Sequence, residues 1–192
     1  MKVPTRMGLV SFLLTASLLA ASAERPIDVE HSTIRIHVGR AGMLSSAAHE
    51  HWVAAAIADG RLDETPPGRI SFRVEARQLK VEEDKSLSAK KQAEVQRTMQ
   101  TEVLQSEEYR DITFRSTSIK ETGADAWEVQ GDLSLHGQTR PVMTAVRKQQ
   151  GAYVGRCQLK QADFGIHLVR VGGGILKVRD ELDIEFSIVP GQ

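Results

Sequence analysis

The sequence predicts an all-β protein, folded as an antiparallel up-and-down β-barrel of about eight strands with one surface helix. Short runs in which apolar and polar residues alternate follow one another along most of the chain. This period of two is typical of strands with one buried face. Glycine- and proline-containing turns separate the runs at short intervals, a spacing that favours a sandwich or a closed barrel. A single stretch departs from this period and indicates a helix.

The alternating runs place their apolar residues on one face of each predicted strand. The segment from Gly131 to Val142 predicts a β-hairpin, because Leu133 and Leu135 alternate with polar residues until Gly137 breaks the run. The other runs contain Ile34, Ile36 and Val38; Ile70, Phe72 and Val74; Ile112 and Phe114; Trp127 and Val129; Val142, Thr144 and Val146; Tyr153 and Leu159; and Leu182, Ile184, Phe186 and Ile188.

The stretch of residues 86–105 predicts the helix, since it is rich in Ala, Lys, Glu and Gln and contains neither Gly nor Pro. Either Ser86 or Ser88 is placed to cap its first turn. One narrow apolar stripe runs along it, made of Val95, Met99 and Val103. A stripe of this width predicts a helix that lies on the surface of the barrel.

The first 23 residues have the composition of a secretory signal peptide. Lys2 and Arg6 precede a mostly apolar run, and small residues end the segment at Ala23. The apolar run is short for a bilayer-spanning helix, which needs about 20 residues. We therefore expect cleavage near Ala23, a periplasmic or secreted protein without a stable membrane anchor, and one domain over residues 24–192.

Charge and cysteine content narrow the function further. Without Lys2 and Arg6, 23 of the 25 basic residues remain against 25 acidic residues, a net charge of about −2. The sequence has no basic stripe with interleaved aromatic residues, so we expect no nucleic-acid partner.

Cys157 is the single cysteine; it makes no internal disulfide, and the fold must depend on its core. Free cysteines are usually buried, whereas an exposed Cys157 would allow a disulfide-linked homodimer.

Several segments follow one another in a fixed order along the chain. They are HSTI at residues 31–34, EVLQ at 102–105 with ITFRS at 112–116, GDLSLHGQTRPV at 131–142, and ADFGI at 162–166 with VRDELDI at 178–184. Together they resemble the YceI-like family of bacterial periplasmic proteins that bind polyisoprenoid-type lipids. The resemblance implies an extended, lipocalin-like barrel whose pore takes a long isoprenoid or fatty-acyl chain, and it implies no catalytic activity.

The alternation itself allows two kinds of interior, because a small barrel either fills its lumen with side chains or holds one ligand. The residues that we expect to face the lumen are Ile34, Ile36, Phe72, Val74, Phe114, Leu133, Leu135, Phe164, Ile184 and Phe186. All of them are apolar, so a ligand among them would be apolar too. The partner that we expect is a long-chain apolar lipid.

Polar residues at the predicted rim are candidates for holding the head group of such a lipid: His49, His51, His136 and Arg140. On a strand, His49 and His51 lie on one face, so both rings can bind one transition metal, or one ring a haem iron. The alternative is that they are structural and bond to the backbone. We expect no cofactor unless this pair binds one, and no enzyme, since no nucleophile has a recognisable base.

Overall fold

The structure is a computed structural model that describes residues 24–41, 50–168, 170–171 and 176–192. The predicted signal peptide and His49 lie outside these residues. The strands are β1 (Arg25–Ala41), β2 (His51–Ala54), β3 (Ile57–Asp63), β4 (Arg69–Glu75), β5 (Lys80–Val81), β6 (Asp111–Gly123), β7 (Ala126–Leu135), β8 (Gln138–Gln149), β9 (Ala152–Lys160), β10 (Arg170–Val171) and β11 (Leu176–Pro190), and helix α1 (Ala89–Thr98) follows β5. Within the described ranges, no helix combines the length and apolar character of a membrane span.

The strands close into a barrel with eight positions around its wall. Neighbours follow the order β1, β3, β4, β6, β7, β8, β9 and β11, and β11 pairs back with β1 so that Ile184 lies opposite Ile36. β2 and β3 pair with successive parts of β1 and together fill one position. The predicted antiparallel barrel of about eight strands with one surface helix is therefore confirmed.

The hairpin predicted between residues 131 and 142 is also present. β7 and β8 pair from Leu135 and Gln138 outward. The two residues between them, His136 and Gly137, have φ angles of 50° and 71°. Two positive φ angles belong to the type I′ turn, whose twist matches the twist of the strands on either side.

β3 is a strand that the alternating pattern does not predict. Asp59 and Gly60 interrupt its apolar positions, and the pairing with β4 shifts register between Ile57 and Asp59. Such an irregularity moves later side chains to the other face of the strand, so a period of two cannot be read through it.

The helix is shorter than the predicted residues 86–105. Ser88 caps its start by accepting a hydrogen bond from the Lys91 backbone N–H, so the second of the two cap candidates is confirmed. Ser86 lies in a turn in which its own backbone N–H bonds to Asp84. After Thr98 the chain does not end in a tighter 3₁₀ turn. It continues as a wider π turn over Met99–Val103.

Three glutamines on one face of α1 and the π turn attach this segment to the barrel. Gln96 accepts a hydrogen bond from the Val81 N–H at 2.8 Å and donates to the Leu79 carbonyl at 3.0 Å. Gln92 donates to the Glu82 carbonyl at 2.8 Å, and Gln100 also donates to Leu79. The side chains thus satisfy the edge of β5 that faces away from its partner β2.

Candidate ligand cavity

The lumen of the barrel holds a cavity of about 390 Å³, within the usual range for small-molecule pockets. Inward-facing side chains of all eight barrel positions line it. Nine of the ten residues predicted to face the lumen lie in this lining: Ile34, Ile36, Phe72, Val74, Phe114, Leu133, Leu135, Ile184 and Phe186. Along β7 the lining runs from Trp127 to Leu135, a length of about 26 Å at the usual rise of a strand.

Two glycines explain why phenylalanines in the wall leave this space open. A Cβ atom built on Gly131 would lie 2.4 Å from the Phe114 ring, and one on Gly155 would lie 2.4 Å from the Phe186 ring. Each ring therefore occupies the place of the missing side chain on the neighbouring strand. A ring that lies over a glycine covers the wall instead of crossing the lumen.

Phe164, the tenth predicted lumen residue, lies elsewhere. It ends the 3₁₀ turn Gln161–Phe164, is only 2% exposed, and belongs to the hydrophobic core rather than to the cavity lining. It lies outside the lining because it is not on a strand: the chain leaves β9 at Lys160 and turns, with Gly165 at a φ of 72°.

One end of the cavity, here called the capped end, is closed by residues that the strand pattern does not reveal. They are Leu79, Met99, Val103, Leu104 and Ile166. Leu79, Leu104 and Ile166 are buried, with exposures of 4–8%. Met99 and Val103 belong to the apolar stripe of the predicted helix, so this part of the stripe faces the lumen across the end of the barrel, whereas Val95 lies outside the lining.

The opposite end, here called the polar mouth, is formed by Asp63, Glu64, Glu121, Trp127 and Tyr153. The Tyr153 hydroxyl donates a hydrogen bond to the Glu64 carboxylate. The Trp127 ring meets the Tyr153 ring edge-on, with 5.5 Å between centroids. Glu64 and Glu121 are exposed although they line the cavity, so this end is open to solvent.

Two cations bind the Glu64 carboxylate from outside the cavity lining. Lys148 donates to Glu64 with 2.9 Å between Nζ and the carboxylate oxygen, and Arg25 bonds to the other oxygen of the same carboxylate. The Tyr153 hydroxyl, and after it Lys148 and Arg25, lower the pKa of Glu64 below its usual value of 4.5. These donors hold the carboxylate in its charged form.

Glu64→Gln is expected to remove a pH-dependent part of the stability. A carboxyl group with a lowered pKa in the folded state stabilises the fold above its unfolded pKa, and this contribution is lost as the pH falls through its folded pKa. The difference in unfolding free energy between wild type and variant, measured by urea denaturation, should therefore be largest near pH 7 and shrink below pH 4.5. A difference that stays constant with pH would contradict this role of Glu64.

Cys157 also lines the cavity, where burial raises the pKa of its thiol to about 11. A disulfide-linked homodimer would require this half-buried thiol to reach the outer surface of the barrel. At pH 8 the thiolate fraction should be about one hundredth of that of a thiol with the ordinary pKa of 9. We expect slow labelling by a thiol reagent in the folded protein and fast labelling in urea; equal rates would place the thiol outside the lumen.

Three residues predicted for the rim do not belong to the described cavity lining: His51, His136 and Arg140. His136 lies in the β7–β8 turn at the capped end, where its ring meets Tyr109 at 4.1 Å and bonds to Gln105. Arg140 is exposed and donates to Thr139 and Gln138 on its own strand. His51 starts β2, half-buried and outside the cavity lining.

The metal or haem hypothesis involves His49, which lies outside the described residues, and His51. Among the residues that the structure does describe, no group of three or more His, Cys, Asp or Glu side chains is arranged to hold a metal ion. Glu50, between the two histidines, is exposed and lies 3.3 Å from the Nε2 atom of His37.

Sequence reasoning missed the polar mouth because its residues are far apart in the chain. Glu64 and Tyr153 are separated by 89 residues, and Glu64 and Lys148 by 84. One signal was available: Tyr153 stands at the inward position of β9, in the same alternation as Leu159. A tyrosine there places a hydroxyl group inside an otherwise apolar barrel.

Known proteins share the sequence pattern and the fold described above. A UPF0312 protein of Vibrio cholerae is 33% identical over 87 residues, which are 40% of this chain and 44% of that protein. A UPF0312 protein of Azotobacter vinelandii is 39% identical over 64 residues, 28% of this chain and 33% of that protein. The chain thus matches less than half the length of these curated relatives.

Solved structures match the barrel over most of its length. BcnA of Burkholderia cenocepacia superposes with a TM-score of 0.58 at 17% identity, covering 84% of this chain and 98% of that one. A polyisoprenoid binding domain from Saccharophagus degradans gives a TM-score of 0.60 at 11% identity, covering 88% and 97%. The model of the YceI-like domain matches residues 26–189, and the chain therefore belongs to the YceI-like family.

Proposed function

We propose that the protein is an exported carrier that binds one apolar lipid, of the isoprenoid or fatty-acyl type, inside the barrel. Its mechanism is sequestration and carriage without catalysis. The observation that carries the proposal is the cavity of about 390 Å³, whose lining is almost entirely apolar side chains and whose capped end is closed by Met99, Val103 and Leu104.

The energetics of burial favour a long chain in this cavity. Each buried CH₂ group contributes about 0.8 kcal/mol, so a chain of about twenty carbons gains up to about 16 kcal/mol. Association and ordering oppose binding by about 4–15 kcal/mol. A chain that fills the lumen from the polar mouth to the capped end therefore binds well, whereas a short one does not.

Two further observations support the proposal. The Saccharophagus degradans domain with the same fold is described as polyisoprenoid binding. The first 23 residues have the charge and apolar pattern of a signal peptide, which supports export to the periplasm or the medium.

Native mass spectrometry of the protein purified from the periplasm tests both parts. We expect a polypeptide mass that begins at Glu24, with an additional mass in the isoprenoid or fatty-acid range that is lost on denaturation. The delipidated protein should take up a C20 alcohol at a ratio of one to one. A bare polypeptide that takes up no such chain would contradict the carrier function, and an additional mass of a metal ion or haem would favour the His49 and His51 hypothesis.

A further inference from the structure

Charge is distributed unevenly along the cavity. The charged residues in its described lining are Asp63, Glu64 and Glu121, and all three are carboxylates at the polar mouth. No Lys, Arg or His belongs to the lining as far as the structure describes it. At the capped end the polar residue is Gln161, whose amide donates to the Arg179 carbonyl at 2.7 Å. The two ends of the lumen therefore differ in polarity.

The hydrogen bonds at the polar mouth determine what it offers to a ligand. The Tyr153 hydroxyl donates its proton to Glu64, and its oxygen also interacts with Lys148. A hydroxyl oxygen has two lone pairs, so one remains to accept a hydrogen bond from a ligand. Lys148 and Arg25 direct their charge at Glu64 from outside the cavity lining. The groups that face the lumen at this end are therefore hydrogen-bond acceptors and carboxylates. The two cations lie on the far side of Glu64.

This arrangement discriminates between the head groups that long-chain lipids carry. A phosphate or carboxylate head would lie beside the carboxylates of Glu64 and Glu121, where like charges repel. Because this end is open to solvent, water moderates the repulsion, and we expect a preference between head groups rather than complete exclusion. A hydroxyl or ammonium group would instead donate to the Tyr153 oxygen or to a carboxylate. The rings of Trp127 and Tyr153 suit this boundary, since both combine an apolar body with a polar edge.

We propose, on the basis of the carrier function above, that the bound lipid places its head group at the polar mouth and its chain toward the capped end. The head group donates hydrogen bonds and carries no negative charge, as in a long-chain alcohol or amine. The site is the Tyr153–Glu64 pair, bordered by Glu121 and Trp127.

Three probes with the same C20 chain test this: geranylgeraniol, geranylgeranylamine and geranylgeranyl monophosphate. Their Kd values are measured by displacement of a fluorescent apolar probe from the delipidated protein. We expect the alcohol or the amine to bind about tenfold more tightly than the monophosphate, because the carboxylates at the mouth repel the phosphate. The preferred member of the first two distinguishes a neutral head group from a cationic one.

Variants separate head-group recognition from damage to the barrel. Glu64→Gln should weaken the alcohol and strengthen the monophosphate, since Lys148 and Arg25 lose their carboxylate; opposite changes cannot arise from general unfolding. Glu121→Gln keeps the hydrogen bonds of Glu64 intact and should reduce the discrimination by a smaller factor. Glu83→Gln makes the same change at an exposed glutamate outside the cavity lining; it is the matched control and should leave all three Kd values at the wild-type level.

The outcomes distinguish this inference from the carrier function. Equal Kd values for all three probes would leave the carrier function standing and overturn the inference. Tighter binding of the monophosphate by the wild type would overturn it as well, as would a Glu64→Gln variant that weakens all probes by the same factor. If the folded wild type binds none of the three, both the inference and the carrier function are wrong.

Discussion

Gly155→Val is expected to weaken lipid binding severely while the protein still folds. The new Cβ atom would lie 2.4 Å from the Phe186 ring and 2.7 Å from the Ala145 carbonyl oxygen. The Phe186 ring can move away from the new side chain into the lumen, where it takes the place of the ligand chain. The Ala145 oxygen belongs to the backbone of β8, so this second contact adds strain between β8 and β9. Overpacking of this kind costs about 1–3 kcal/mol of stability, and we expect Kd for a C20 alcohol to rise by about a hundredfold.

A control and a rescue variant accompany this prediction. Gly123→Val adds the same side chain at the end of β6, where a Cβ atom meets only Ala126 at 4.0 Å, so binding and unfolding free energy should stay near wild type. Gly155→Val combined with Phe186→Ala removes the displaced ring and should restore part of the binding. Wild-type affinity in the Gly155→Val protein, measured by probe displacement, would show that the Phe186 ring does not control the lumen.

Phe164→Ala is expected to cause a large loss of stability. The side chain is 2% exposed and packs in the hydrophobic core at the end of β9. Truncation of a buried phenylalanine costs about 3–5 kcal/mol, because transfer free energy is lost and a cavity remains. The free energy of unfolding of a typical domain is about 5–15 kcal/mol, so this loss is a large part of it. Urea denaturation measures the loss directly.

Phe72→Ala provides the matched comparison, because this ring lines the cavity and is only partly buried. Its removal enlarges a space that already exists, so the loss of stability should be smaller than at Phe164. The effects on binding should be reversed: Phe72→Ala changes Kd for a C20 alcohol, whereas folded Phe164→Ala protein binds it normally. Altered binding in the Phe164 variant at unchanged fold would place that residue in the lipid site after all.

The barrel and the wall of its cavity are predictable from the sequence, because both follow from a local period. Ile34, Ile36, Ile184 and Phe186 face the lumen for the same reason that they alternate with polar neighbours. The alternation leaves open whether such residues fill the lumen. That depends on Gly131 and Gly155, whose importance appears only when the rings on the neighbouring strands are in place.

The rest of the site depends on contacts between distant parts of the chain. Glu64 reads in the sequence as one more charged residue before a turn, and only barrel closure brings it to Tyr153 and Lys148. The histidines were candidates for the rim because an imidazole can hold a polar head group or a metal ion. In the structure, His136 lies in the β7–β8 turn and its ring contacts Tyr109. Phe164 was expected to face the lumen because, in the sequence, an apolar residue near a strand end looks the same whether the strand continues or the chain turns.

The glutamines of α1 and of the π turn bind main-chain atoms within residues 76–82. Contacts to N–H and carbonyl groups at 2.8–3.0 Å place no demand on which side chains β5 carries. Met99 and Val103 can therefore be exchanged for larger or smaller apolar residues without a compensating change in the strand. Single substitutions at these two positions therefore change the depth of the pore, so that the same barrel can be fitted to hydrocarbon chains of different lengths.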